Sequence, residues 1–127
     1  MGIGSQEKPP TMTPEQLLDR LNKEPDAIEF DQVMALIAEH YHYIPTRFTN
    51  GVGDSALINE AGSNEGSCKI FALGRLLTLN ESQTLACFGR YYREDVLNHP
   101  EGNDHMNIRT FMRSGWDGIA FESEALS

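Results

Sequence analysis

Cys68 and Lys69 stand where a Gly/Ser/Asn-rich stretch, Gly62-Ser63-Asn64-Glu65-Gly66-Ser67, gives way to an apolar run. A thiol in the first turn of a helix faces unpaired backbone N–H groups that favour its anion, and an adjacent ammonium adds to the effect. The chemistry this offers is nucleophilic or redox catalysis by a thiolate. The competing reading is a small buried hydrophobe, and the nearly all-apolar run after it favours that one. The stretch also falls short of a phosphate loop. Gly62 and Gly66 are one residue too close, Ser67 and Cys68 precede Lys69, and Ile70 occupies the hydroxyl position. The pattern excludes a nucleotide hydrolase. Asn64 and Ser67 are kept as candidate contacts to a small ligand at a helix start.

A second group lies downstream. His99 and His105 flank Pro100-Glu101-Gly102-Asn103-Asp104, and His99, Glu101 and His105, with Asp104, have side chains suited to a metal ion. No HExxH, no CxxC and no histidine pair at i, i+4 supports that chemistry, so no metal and no cofactor are assigned. The alternative places His99 in the last turn of one helix and His105 in the first turn of the next, where Asp104 caps it. His99, Asp104, His105 and Arg109 are then candidate ligand contacts. Tyr91, Tyr92, Arg93, Arg109 and Trp116 are of the types that build recognition surfaces, and also of the types that finish cores. The core reading is preferred, which leaves Tyr91 and Trp116 as surface contacts. Cys87, inside a helix, is filler. His40 and His42, two apart, do not share a helical face.

These residues need a frame. Thr13-Pro14-Glu15-Gln16 reads as a capped helix start, with Leu17, Leu18 and Leu21 as its apolar stripe and Pro25 as its stop. Phe30, Val33, Met34, Ile37 and Tyr41 have helical spacing over about 31–41. Cys68 to Leu77 forms a helix apolar on most sides and therefore central. Within it Gly74 costs roughly 1 kcal/mol against Ala, which points to close approach by a neighbour. Asn80 opens a further helix carrying Leu85, Phe88, Tyr92 and Val96 on one stripe, and Asp104 opens the last, with Ile108, Phe111 and Met112 inward and Gly115 at its end. Short strands are expected at about 47–49, 56–58 and 119–121, with Asn50-Gly51 as the turn between the first two. The fold class is α+β, mainly α: about five short helices around the central one, with a small antiparallel sheet. Residues 1–12 read as a disordered leader and 13–127 as a single domain. Gly2 and Ser5 do not complete a myristoylation signal, because Gln6 stands at its sixth position.

Composition narrows the function. Nineteen acidic residues against ten basic ones give a net charge of −9. Binding to nucleic acid draws on clustered cations, so it is excluded here, as is attraction to anionic lipid. No apolar run approaches the ~20 residues of a membrane span. Two cysteines do not make a disulfide framework and read as reduced thiols in a cytoplasmic compartment.

Several ordered blocks are familiar. Asn59-Glu60-Ala61-Gly62, Asn64-Glu65-Gly66-Ser67-Cys68-Lys69-Ile70-Phe71, Thr84-Leu85-Ala86-Cys87-Phe88-Gly89, His99-Pro100-Glu101-Gly102, Asn107-Ile108-Arg109 and Gly115-Trp116 resemble the HopJ type III effector family over roughly residues 13 to 126. The resemblance implies a possible route of type III secretion into a host cell, and it supplies no catalytic residue or cofactor. The leading expectation is a small monomeric module that binds a protein partner. The alternative is a thiol-dependent enzyme or redox protein built on Cys68 and Lys69.

Overall fold

The computed structural model describes residues 11–127. The expected leader falls mostly on residues 1–10, outside the described residues. Met12, assigned to that leader, already packs against the core.

Helix α1 (Pro14–Lys23) begins as its sequence dictates. The Thr13 hydroxyl accepts from the Gln16 N–H at 3.1 Å, and the Gln16 side chain accepts from the Thr13 N–H at 2.9 Å. This closes a reciprocal capping box on two otherwise unpaired donors. α1 buries Leu17 and Leu21, and after Lys23 a short 3₁₀ turn, Pro25–Ala27, leads to α2 (Phe30–His40), which buries Val33, Leu36 and Ile37. Three strands follow the expected order, shifted by a residue or less: β1 (Phe48–Asn50), β2 (Leu57–Asn59) and β3 (Ala120–Phe121). They form an antiparallel sheet in the order β2-β1-β3, with Thr49 opposite Ile58 on one side and Ala120 on the other. Asn50-Gly51 is not a two-residue hairpin turn. The β1–β2 connection runs through a 3₁₀ turn at Gly53–Ser55, and Gly51 starts it with φ +112°.

Helix α3 (Glu65–Leu77) is the axis of the molecule. It buries Cys68, Ile70, Phe71, Ala72, Leu73 and Gly74. The Phe71 ring sits at the hub of an aromatic cluster, 4.9 Å from the Phe111 ring, 5.6 Å from Phe88, 6.0 Å from Phe48 and 6.3 Å from Trp116. These contacts join the helices and the sheet in one hydrophobic core. The expected close approach at Gly74 is present: a Cβ there would lie 2.8 Å from the Trp116 ring and 3.1 Å from the Thr84 hydroxyl. Trp116 is fixed in turn by its indole N–H, which donates to the Leu79 carbonyl at 3.0 Å.

In the later helices three expectations fail. The helix after Asn80 is not continuous. α4 (Glu81–Ala86) starts with the expected Asn80–Gln83 capping box, then breaks, and a π-helical turn covers Tyr91–Val96. The break is at Gly89, with φ +61°. A Cβ there would stand 2.7 Å from the Phe30 nitrogen, so the chain turns where only glycine clears the start of α2. The apolar stripe survives the break because Phe88 and Val96 still point inward. The last helix, α5 (Met106–Ser114), is not capped by Asp104. Its cap residue is His105, in left-handed conformation with φ 49°, and no side chain caps it. Asp104 is drawn off by an arginine. Met112, expected inward, is exposed, while Ile108 and Phe111 are buried as expected.

Candidate functional site

The helix that carries Cys68 starts three residues earlier than expected. Asn64, in left-handed conformation with φ 52°, precedes its first residue, Glu65. The Cys68 N–H therefore already bonds to the Asn64 carbonyl at 3.0 Å, and the sulfur no longer sits at a field of unpaired donors. Cys68 is buried with 1% of its surface exposed. Its sulfur faces the Thr46 carbonyl at 3.8 Å. Burial pushes its thiol pKa up, against smaller downward pulls from the Thr46 backbone, Tyr43 and Lys69. The Lys69 ammonium lies 4.7 Å above the Tyr43 ring rather than serving the thiol. Tyr43 is raised as well, first by burial and then by Glu65. Cys87 is fully enclosed and pushed up to about 12 by burial alone. Neither thiol has the lowered pKa of a nucleophile.

Three of the expected contact residues, Asn64, Ser67 and His105, do meet in one cleft of about 480 Å³. The starts of α3 and α5 form two of its sides and edge strand β2 another. Phe30, Phe88, Tyr91 and Ile108 give it apolar surface. Its amide side is a network of asparagines. Asn107 donates to the Asn59 oxygen at 2.9 Å while Asn59 donates back to the Asn107 oxygen at 3.2 Å. Asn50, fully buried, donates to the Asn107 carbonyl at 2.8 Å and to its side-chain oxygen at 3.0 Å. Asn64 reaches in from the rim to the Asn59 oxygen at 2.7 Å. Buried amides satisfied by one another hold a fixed geometry. One atom of the set, the Asn50 side-chain oxygen, has no partner among the described residues.

His105 ties the cleft to the π-helical turn. Its Nε2 is 3.0 Å from an Asp95 carboxylate oxygen, and its ring tilts against Tyr91 with centroids 5.1 Å apart. Tyr91 in turn meets Phe30 edge to face at 5.1 Å. Ser67 shares the cleft, yet no hydrogen bond joins its hydroxyl to His105, so the contact that defines a nucleophile and its base is missing.

The other expected residues serve the frame. The Arg109 guanidinium, almost fully buried, donates to the His99 carbonyl at 2.8 Å, to the Asp104 carbonyl at 2.7 Å and to the Asp104 carboxylate at 2.7 Å. That hydrogen bond holds the Asp104 carboxyl below its ordinary range. Arg109 thus clamps the loop between the π-helical turn and α5, and so sets where His105 stands. His99 contributes its backbone, and its side chain is exposed. His99, Glu101 and His105 are not gathered: among the described residues no group of three His, Cys, Asp or Glu side chains could hold a metal ion. Cys68, His99 and His105 do not converge.

Sequence reasoning missed Asn50, Asn59 and Asn107 as a unit. One signal was present. Asn ends both β1 and β2, and Asn is depleted from strands, so two strands that both end in Asn mark a polar requirement.

Beyond the site, no helix among the described residues is long and apolar enough to cross a membrane. A search of curated proteins gives no match. A solved crystal structure described as the unknown function protein VPA0580 is 50% identical in sequence, with a TM-score of 0.85, and the alignment covers 100% of this chain and 98% of that one. The family profile described as HopJ type III effector protein matches residues 14–126. With nearly its whole length matched, from the first helix to the last strand, the chain belongs to the HopJ type III effector protein family.

Proposed function

We propose that this HopJ-family protein works by binding a partner through the cleft between the starts of α3 and α5, and not by thiol chemistry. The observation that carries this reading is the cleft itself. It is preformed, part aromatic and part amide, with its amides locked to one another, while both sulfurs lie buried outside it. Sites of this kind take a ligand with an apolar body and a few polar groups. Action on a partner inside a cytoplasm, whether the producing cell's or a host's after type III secretion, fits the family and the acidic composition. The protein acts as a monomer in this reading.

The test is nuclear magnetic resonance titration of the ¹⁵N-labelled protein with cytoplasmic extract fractions, of the producing cell and of a host, followed to the amides of Asn59, Asn64, Tyr91 and Asn107. Shifts clustered on those four support the reading. Shifts clustered elsewhere, or modification of Cys68 by the active fraction, refute it.

A further inference from the structure

A second cleft, of about 540 Å³, adjoins the first. The two share Phe30 and Tyr91, so that edge-to-face pair stands between them. The second differs in kind. Glu29, Asp31, Glu94 and Asp95 supply four carboxylates to it, against one guanidinium from Arg90. Arg90 lies 3.7 Å from Glu29, and Arg93 adds a further contact to the same carboxylate at 3.5 Å. Asp95 is engaged by His105. Among the described residues Asp31 and Glu94 have no ion-pair partner, and both are exposed. Tyr91 is 41% exposed between the clefts.

We infer that the occupant of this double groove is a linear peptide segment of a partner protein that carries an aliphatic anchor followed within a few residues by two or more Lys or Arg. This rests on the binding reading above and specifies its ligand. The aliphatic side chain seats in the amide-floored cleft against Phe88 and Ile108. The chain passes over Tyr91, and the cations lie among Asp31, Glu94 and their neighbours. Charge complementarity selects the occupant: an acidic segment meets four carboxylates, and an uncharged one leaves Asp31 and Glu94 unanswered. A cation beside Tyr91 also meets the face of an exposed ring. The anchor and the cations are separated by the Phe30–Tyr91 pair alone, so a spacer of a few extended residues, at ~3.3 Å per residue, carries the peptide from one cleft to the other.

The experiment titrates the ¹⁵N-labelled full chain with three acetylated peptide amides, Leu-Gly-Gly-Arg-Arg, Leu-Gly-Gly-Gln-Gln and Leu-Gly-Gly-Glu-Glu, at low and high salt. The Arg peptide is expected to shift the Phe30, Tyr91 and Glu94 amides and to bind at least threefold more tightly than the Gln peptide, with the advantage lost at high salt. The double variant Asp31→Asn, Glu94→Gln, whose changes are both on the surface, is expected to remove the advantage while its thermal midpoint stays close to the parent's. Equal, salt-independent binding of the Arg and Gln peptides in the groove overturns the inference and leaves the binding reading standing. Stronger binding of the Glu peptide overturns the inference as well. No shift at the groove with any peptide overturns the inference alone, unless the extract fractions also fail there, in which case both fall.

Discussion

Asn59 and Asn107 clasp each other, amide to amide, at 2.9 and 3.2 Å, and so fasten edge strand β2 to the first turn of α5. Replacing one side removes the bonds and strands the other. Asn107→Leu is expected to cost about 1–3 kcal/mol, the usual penalty for leaving a buried polar group unpaired. Urea denaturation measures it, and an unchanged midpoint would show that the amides are dispensable to the fold.

Gly89 and Gly53 form a natural comparison. Both have left-handed φ, +61° and +65°, but a Cβ at Gly89 would press on the α2 backbone while one at Gly53 meets nothing within 4 Å. Gly53→Ala is expected to cost about 1–2 kcal/mol, the strain of that conformation alone. Gly89→Ala should cost clearly more, because the start of α2 must shift. Equal thermal midpoints for the two variants would refute the close approach.

The thiols should be silent in the folded protein. Labelling with a thiol reagent at neutral pH is expected to modify neither Cys68 nor Cys87 until denaturant is added. The same burial has a consequence for stability. Each thiol holds its proton longer folded than unfolded, so above about pH 9 the unfolded chain releases protons first and stability declines as pH rises further. Rapid labelling of Cys68 near pH 7 would restore the enzyme reading.

Asp104 titrates in the opposite sense. Arg109 lowers its pKa, so the stabilisation is present above the unfolded value, about 4, and is lost as pH falls through the folded one. The parent protein and Asp104→Asn should therefore differ in thermal midpoint at pH 7 and converge in strong acid. A constant difference would mean that the carboxylate's charge is irrelevant to the clamp.

Phe71→Ala empties the hub of the aromatic cluster. A loss of about 3–5 kcal/mol is expected, against a total of ~5–15 kcal/mol for a domain of ordinary stability. A midpoint lowered by under two degrees would place the core elsewhere.

Much of this was legible in the residues. Thr13 with Gln16, and Asn80 with Gln83, announce their helices because a capping box is local chemistry. Ile70, Phe71 and Leu73 announce the axis because a helix apolar on most sides has nowhere else to go. What was not legible depends on partners distant in sequence. Asp104 looks like a cap until Arg109 is seen to take its carboxylate. Cys68 looks like the first turn because the Gly/Ser/Asn-rich stretch runs up to Ser67, while the real start, Asn64, uses a left-handed backbone that its type permits without announcing. The asparagine network joins residues 48 and 57 positions apart. Helical periodicity passed straight through Gly89, since a π-helical turn can keep the stripe that an α-helix would have made.

The sheet closes late. Phe48 pairs with Phe121, so β1 has a bare second edge until residues 120–121 are there to cover it. Without β3, β1 and β2 would stand as a ladder with the inner side of β1 open, a template for strands of other chains. Addition of β3 therefore passes the free edge of β1 to a strand of two residues, too short to offer other chains much to pair with.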